Sequence, residues 1–370
     1  MSCGATPSYK KKDSNHFRIL AVPAGSPQGN AYTYLLYKGL QDCGVSILVG
    51  FTLANAASAD ICHLHWPEYA AIDKNPVRRT INSCLFFFRL CLLKACRAKL
   101  VWTVHNLHPH DVAPSRYIRS FYYLMFRFMD GLIFLTHESQ KACYRQYPES
   151  RSCAATVILH SHYRSMFLEN CEMHADCRRE RPRAAAQFLF FGLVRRYKNL
   201  ANLIAVFGRI PRADVRLVCA GEPSADVAYI SEIRHIASKD ARVELQLNWI
   251  PQEDVAALFD AATVIVLPYQ EVLNSGVLML ALSLHRPVLA PATDSVKEIQ
   301  NIVGTEWIMT FAGELTPEIL SNALAWAAHR KENVPDLTPF DSGTVTRNTL
   351  AFFRDLCGKT KTGNIIHRSA

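Results

Sequence analysis

Residues 263–290 constrain the fold more than any other stretch. Residues 263–267 form an uninterrupted apolar run that ends at Pro268. A polar turn, Asn274-Ser275-Gly276, precedes a second apolar run at 277–282. That run ends at His285-Arg286-Pro287, and a third begins at Val288-Leu289-Ala290. An apolar strand with no polar face has to be covered on both sides, as in a parallel sheet. The middle run reads as a buried helix, and Asn274-Ser275-Gly276 supplies the N-cap chemistry to start it. A helix starting at the carboxyl end of a parallel strand turns free N–H groups towards an anion. A nucleotide diphosphate suits such a place. An ordinary strand-to-helix connection is the other reading.

The same alternation runs along the chain twice. Strands are expected at 17–22, 45–49, 59–65, 100–105, 131–135 and 156–160, with helices at 31–43, 78–98 and 115–129. A charged break follows, with Arg178-Arg179-Glu180-Arg181-Pro182-Arg183 inside it. Strands are then expected at 188–191, 215–220 and 243–247, with helices at 199–209, 228–237 and 252–259, before the opening segment. The fold class is therefore α/β: two doubly wound, Rossmann-like domains facing a central cleft, where ligands bind by default. A chain of 370 residues supports about two domains. The boundaries expected are a disordered tail at 1–16, a first domain at 17–165, a linker at 166–186 and a second domain at 187–340. Residues 341–370 hold a last helix, at 345–356, and a tail.

Apolar residues make up 49% of the chain and charged ones 20%, which describes a globular protein. No apolar run is long enough to span a bilayer, and the Lys10-Lys11-Lys12 region lacks a signal-peptide core. The 12 cysteines form no CxxC pair and lie mostly in apolar segments, so reduced thiols in a cytoplasmic protein are expected. A formal charge of +9 favours an anionic partner. With no zinc finger and no RNA-binding aromatic motif, nucleic acid is not expected. A nucleotide diphosphate and an anionic membrane surface fit better. For the membrane, the helix at 78–98 carries Leu85-Phe86-Phe87-Phe88-Arg89. The next helix sets Arg116, Arg119 and Arg127 among Tyr117, Phe121, Tyr122, Tyr123 and Phe126. A core-facing helix with solvated charges is the plain alternative.

In the second domain, the strand at 188–191 runs into Gly192-Leu193-Val194-Arg195-Arg196-Tyr197-Lys198-Asn199. Gly192 permits close backbone approach, and Arg195 and Lys198 offer a planar fork and a point charge to phosphate oxygens. These residues gain weight beside the Asn274-Ser275-Gly276 turn.

That string, followed in order by Ala220-Gly221-Glu222, Leu267-Pro268-Tyr269, Asn274-Ser275-Gly276 and Arg286-Pro287-Val288-Leu289-Ala290, resembles the nucleotide-sugar domain of GT-B glycosyltransferases of the family 4-like group. The first half fits through Thr103-Val104-His105-Asn106-Leu107 and Thr136-His137-Glu138-Ser139. The resemblance implies transfer of a sugar from a nucleotide sugar (GDP-mannose or a UDP-sugar) to a lipid-linked saccharide acceptor held by the first domain. It implies exopolysaccharide or glycolipid assembly at the inner face of the membrane. No metal and no cofactor are expected, since basic residues and a helix dipole can neutralise the leaving diphosphate. It also implies a terminal helix that crosses back to the first domain. Donor-side residues are Gly192, Arg195, Lys198, Glu271, Asn274, Ser275 and Gly276.

The chain departs from that family at one point. Retaining members commonly carry a pair of glutamates around this last helix. Here those positions are Val272 and Leu280, with Glu271 one residue away from the first. Without the pair, an inverting transfer would need a general base. Candidates stand at the strand ends that face the cleft: His65, Glu68, His105, His108, His110, Asp111, His137 and Glu138. Asp111 or Glu68 is the alternative base, and His105 is favoured because it ends a strand directly. Its neighbours His108 and His110 leave a zinc or structural histidine loop as another reading of this segment. Gly29, Asn30, His137 and Glu138 are placed on the acceptor side. Two other readings stay open: a nucleotide-sugar epimerase of the same fold, and a non-catalytic nucleotide- or sugar-binding protein.

Overall fold

A computed structural model describes residues 17–25, 29–109, 115–167, 186–269, 273–329 and 333–358. Among them, the apolar runs form two six-stranded parallel sheets. The first contains β1 (Arg18–Val22), β2 (Ser46–Val49), β3 (Ile61–Leu64), β4 (Lys99–Val104), β5 (Gly131–Phe134) and β6 (Ala154–Val157), in the order β2-β1-β3-β4-β5-β6. Its helices are α1 (Ala31–Asp42), α2 (Leu53–Ser58), α3 (Pro76–Ala95), α4 (Arg116–Phe128), α5 (His137–Gln146) and the short α6 (Arg164–Phe167).

The second sheet contains β7 (Ala186–Phe191), β8 (Val215–Ala220), β9 (Val243–Gln246), β10 (Val264–Val266), β11 (Val288–Pro291) and β12 (Ile308–Phe311). Its order is β12-β11-β10-β7-β8-β9. Around it lie α7 (Leu200–Phe207), α8 (Val227–Ala237), α9 (Gln252–Ala261), α10 (Gly276–Ser283), α11 (Asp294–Val303) and α12 (Pro317–Ala328), and α13 (Ser342–Leu356) closes the described chain.

In each sheet the strand order reverses once, between β1 and β3 and between β7 and β10. At such a switch point the two flanking crossovers leave in opposite directions, and a crevice opens at the carboxyl ends of the strands. The residues after β1, β3 and β4 and those after β7 and β10 therefore line the cleft. Small polar caps start the helices behind them: Asn30, Ser115, Thr136, Ser275 and Thr293 each accept a hydrogen bond from the first turn.

The sixth strand lies earlier than the sequence suggests, at Ala154–Val157 rather than 156–160. Ile158 still donates to Phe134 O (2.8 Å), but the chain then leaves the sheet for the second domain. There Tyr163 N–H donates to Ser283 Oγ (2.8 Å) and His162 N–H to Phe340 O (2.9 Å). The long helix stops at Ala95, and Arg97 takes φ 63°. α2, α5, α11, β12 and α12 were not read from the sequence.

α13 packs against α1 and under the first sheet. Val345, Leu350, Phe352 and Phe353 are buried with Ile19, Leu36 and Ile133. Two glycines make room for it. A Cβ on Gly39 would lie 2.4 Å from Thr346 Oγ1, and one on Gly131 would lie 2.7 Å from Leu356. The charged stretch 166–186 falls almost wholly outside the described residues.

Candidate active site

The second domain meets the cleft with glycine backbone and a buried amine. Gly192 follows β7 with φ 104°, and Gly221 follows β8 with φ 144°. A Cβ on Gly221 would lie 2.2 Å from Gly192 O, so only glycine lets these two loops touch. A short turn at Arg196–Lys198 then brings Lys198 back beneath them. A Cβ on Gly192 would lie 3.1 Å from Lys198 Nζ and 3.4 Å from Val277 in the first turn of α10. Gly192, Lys198 and the start of α10 thus converge on one spot.

Lys198 is only 7% exposed, and its Nζ sits 5.4 Å from the centre of the Tyr269 ring. Among the described residues no carboxylate pairs with it. Burial, and then the neighbouring Arg195 charge, lower its pKa to about 8. A buried ammonium with no counter-charge is costly, and an anion placed beside it removes much of that cost. Arg196 is used differently: it binds Asp226 at 2.6 Å on the surface.

At the start of α10, the Ser275 hydroxyl accepts from Leu278 N–H (3.2 Å). Gly276 lies against Tyr163, whose hydroxyl would be 3.3 Å from a Cβ there. Asn274 reaches across the cleft and donates from Nδ2 to the carbonyl of His105 (3.0 Å). The turn read as donor-side therefore also touches the segment read as catalytic. Glu271 and Asp111 lie outside the described residues.

The first domain meets the cleft with neutral, hydrogen-bonded rings. Residues i and i+2 of a strand share a face, so His63 and His65 at the end of β3 point the same way. Tyr37 of α1 joins them, its hydroxyl 3.0 Å from His63 Nδ1 and 2.8 Å from His65 Nε2. His63 Nε2 meets Thr103 Oγ1 (2.8 Å), and His65 Nδ1 meets His105 Nε2 (3.0 Å). Trp66 stacks on His105, and Tyr32 packs edge-on to both His65 and His105. Burial holds all four histidines in the neutral form, driving His63 to about 3, His160 to about 4, and His65 and His105 well below 6.5. His65 is one of the strand-end candidates read from the sequence; His63 is not. Their His-x-His spacing was visible, but their partner Tyr37 is not signalled by any motif.

Glu68 is buried beside Asn106 and Tyr122. Burial pushes its carboxyl up to about 7 against the pull of hydrogen bonds from its own backbone and Asn106, and Oε2 has no partner. His108 is bound by Gln146 (2.7 Å) at the surface. Asn30 caps α1, its side chain accepting from Thr33 N–H (3.1 Å), and Gly29 precedes it. His137 and Glu138 open α5, and their backbone N–H groups donate to the two carboxylate oxygens of Glu298 in the second domain (2.9 Å each). Of the four acceptor-side residues, two thus form an interdomain contact through their backbone.

Among the α3 and α4 aromatics, Phe121, Tyr122 and Phe126 belong to the core, which corrects their reading as surface groups. Val77, Ile81, Leu85, Phe88 and Tyr123 are exposed. Among the described residues no helix is long and apolar enough to cross a membrane.

Comparison with known proteins agrees with this layout. Residues 185–328 match the family described as glycosyl transferases group 1. A curated relative, the GDP-mannose:glycolipid 4-beta-D-mannosyltransferase of Xanthomonas campestris pv. campestris, is 29% identical over 320 residues, covering 85% of this chain and 86% of its own. Sucrose-phosphate synthase from Thermosynechococcus elongatus has a similar structure (TM-score 0.65, 15% identity, 93% of this chain and 100% of that one). So has Anabaena HepE in complex with UDP-glucose (TM-score 0.58, 16% identity, 92% and 100%). With two parallel six-stranded sheets across a cleft, the chain has the GT-B fold and carries a group 1 glycosyltransferase domain around Lys198 and α10.

Proposed function

We propose that this enzyme transfers a hexose, in the first instance mannose, from a nucleoside diphosphate sugar to a lipid-linked saccharide at a membrane surface, without a metal ion. The observation that carries the reading is Lys198: a buried amine with no acidic partner among the described residues, set against glycine backbone and a helix N-terminus. A diphosphate is the ligand such a place suits best. Arg195 adds charge beside it. GDP-mannose as donor and a glycolipid as acceptor rest on the printed activity of the Xanthomonas relative. A UDP-sugar is the second candidate, on the UDP-glucose bound by HepE.

The chemistry is a single displacement. The acceptor hydroxyl oxygen bonds to the anomeric carbon as the bond from that carbon to the diphosphate oxygen breaks, and the electron pair leaves on the diphosphate. Lys198, Arg195 and the α10 N-terminus hold that growing charge. His105 takes the hydroxyl proton. Burial keeps its imidazole neutral and so able to accept, and the approaching diphosphate charge favours the imidazolium that forms. Leu280 at the position of a retaining-type glutamate and the β-linkage in the relative's name favour inversion.

Membrane docking draws support from α3. Val77, Ile81, Leu85 and Phe88 recur at helical spacing on one exposed face, with exposed Arg78 and Arg89 beside them. Tyr117 of α4 binds Ser83 of α3 (2.8 Å), so the exposed Arg116, Arg119 and Arg127 extend the same surface. Apolar side chains flanked by cations suit an anionic bilayer on the cytoplasmic side. Assembly of an exopolysaccharide repeat unit is the process this combination serves.

Thermal melting with GDP, UDP, ADP, dTDP and their sugars tests the donor site. A shift with one nucleotide class names the donor, because a ligand of the folded state alone raises its apparent stability. No shift with any of them would remove the donor-site reading.

A further inference from the structure

The hydrogen bonds behind His105 form a chain: Thr103 Oγ1, His63, Tyr37 Oη, His65, His105 Nε2, with Tyr32 also bonded to Thr103 at its far end. Each link from Thr103 to His105 is 2.8 to 3.0 Å long. Every link holds one proton, and neutral His65 has only one to give, so the stretch from Tyr37 to His105 can be polarised in just two ways. In one, His105 donates from Nε2 to His65 Nδ1 and its Nδ1 carries a lone pair. In the other, His65 donates to His105 and Nδ1 carries a hydrogen. Only the first makes His105 a base. The groups facing the pair are Tyr32 and Tyr37 of α1, His63, Trp66, Thr103, and His160 beyond β6. None of these carries a carboxylate.

We propose that His65 is a positioning residue for transfer: through Tyr37, His63 and Thr103 it fixes the ring and tautomer of His105 so that Nδ1 faces the reaction with its lone pair. This rests on the reading of His105 as the base. Several observations support it. His105 Nδ1 has no hydrogen-bond partner among the described residues, whereas its Nε2 is taken. The ring is clamped on its faces and edges by Trp66 (4.7 Å between ring centres) and Tyr32 (5.3 Å). Asn274 fixes the His105 carbonyl from the other domain. In enzymes that orient a histidine with a carboxylate, the partner also stabilises the imidazolium. Here the partner is a neutral imidazole, which fixes direction without adding charge beside the departing diphosphate.

The test uses the full chain with nucleotide sugar and lipid acceptor, plus ¹⁵N spectra of the histidine-labelled enzyme. His65→Phe should lower kcat by about 10- to 100-fold, as removal of an orienting partner does, with donor KM within about twofold. Tyr37→Phe removes one oxygen, serves where His65→Phe does not fold, and should give a smaller loss in the same parameter. His65→Gln, which can still bond to Nε2, should recover part of the rate. The ¹⁵N spectrum should show His105 protonated on Nε2, and a mixture of tautomers in His65→Phe. Wild-type kcat in folded His65→Phe, or His105 protonated on Nδ1 in the wild type, would overturn the proposal. If His105→Ala keeps full turnover, the base assignment itself fails. That result is separate, because the tautomer is read without activity.

Discussion

The two domains share a topology and bring opposite chemistry to the cleft. At the switch point of the first sheet, neutral polar groups bond to one another: His63 and His65 meet at Tyr37, and His65 meets His105. At the switch point of the second sheet, a buried amine stands against glycine backbone with no acidic partner among the described residues. In the proposed function, one edge moves a proton and the other holds negative charge. A Rossmann-like fold dictates neither. It supplies strand ends, and the side chains placed there decide what each end does.

The sharpest way to break this contrast is to remove one group from each side. His105→Ala should cut turnover by about 10²- to 10⁴-fold, the usual worth of a general base, and leave donor affinity intact. Lys198→Ala should instead weaken nucleotide binding by about 1.5–3 kcal/mol, as for a charged hydrogen bond, measured by calorimetry. If either variant shifted the other's parameter alone, the division of labour would be wrong.

The next test is acid. Above pH 6.5 the folded and unfolded chains both hold these histidines neutral. Below it the unfolded chain binds protons that the buried rings refuse, down to about 3 for His63 and about 4 for His160. Each ring then costs about 1.4 kcal/mol of stability per pH unit. Glu68 acts with the opposite sign: folded, it keeps its proton up to about 7, against an ordinary 4.5, and offsets one ring as pH falls. His65 and His105 shift in the same direction as His63. Urea midpoints should fall between pH 6.5 and 5 by at least about 1.4 kcal/mol per pH unit. A flat profile would mean that the cluster is not neutral.

The smallest effect expected concerns the proposed lipid-facing surface of α3 in the first domain. Ile81→Ser with Phe88→Ser should weaken co-sedimentation with phosphatidylserine vesicles by about tenfold, on the scale of one to two lost apolar contacts. Turnover on a detergent-dispersed acceptor should stay unchanged. Undiminished vesicle binding would move the docking surface elsewhere.

Much of this was legible in the chain. Period and breakers placed eleven strands, since an apolar run between turn residues has few other uses. Gly192, Lys198 and the Asn274-Ser275-Gly276 turn were visible because they stand next to strands in sequence. The histidine chain was not. His63 meets Thr103, and His65 meets His105, across 40 residues. Those meetings exist only because β3 lies beside β4, and strand order leaves no mark on composition. Asn274 and Glu298 were hidden for the same reason, their partners lying 169 and 161 residues away.

The return of α13 has a consequence for synthesis. Phe352 and Phe353 fill the space beneath β1 and beside α1, so the first domain is not complete when its own stretch of chain has been made. A ribosome that has released residues 17–165 still holds the piece that seals them. Until the second domain has emerged, Ile19, Leu36 and Ile133 wait with an open face. The half that is made first is therefore the last to finish folding.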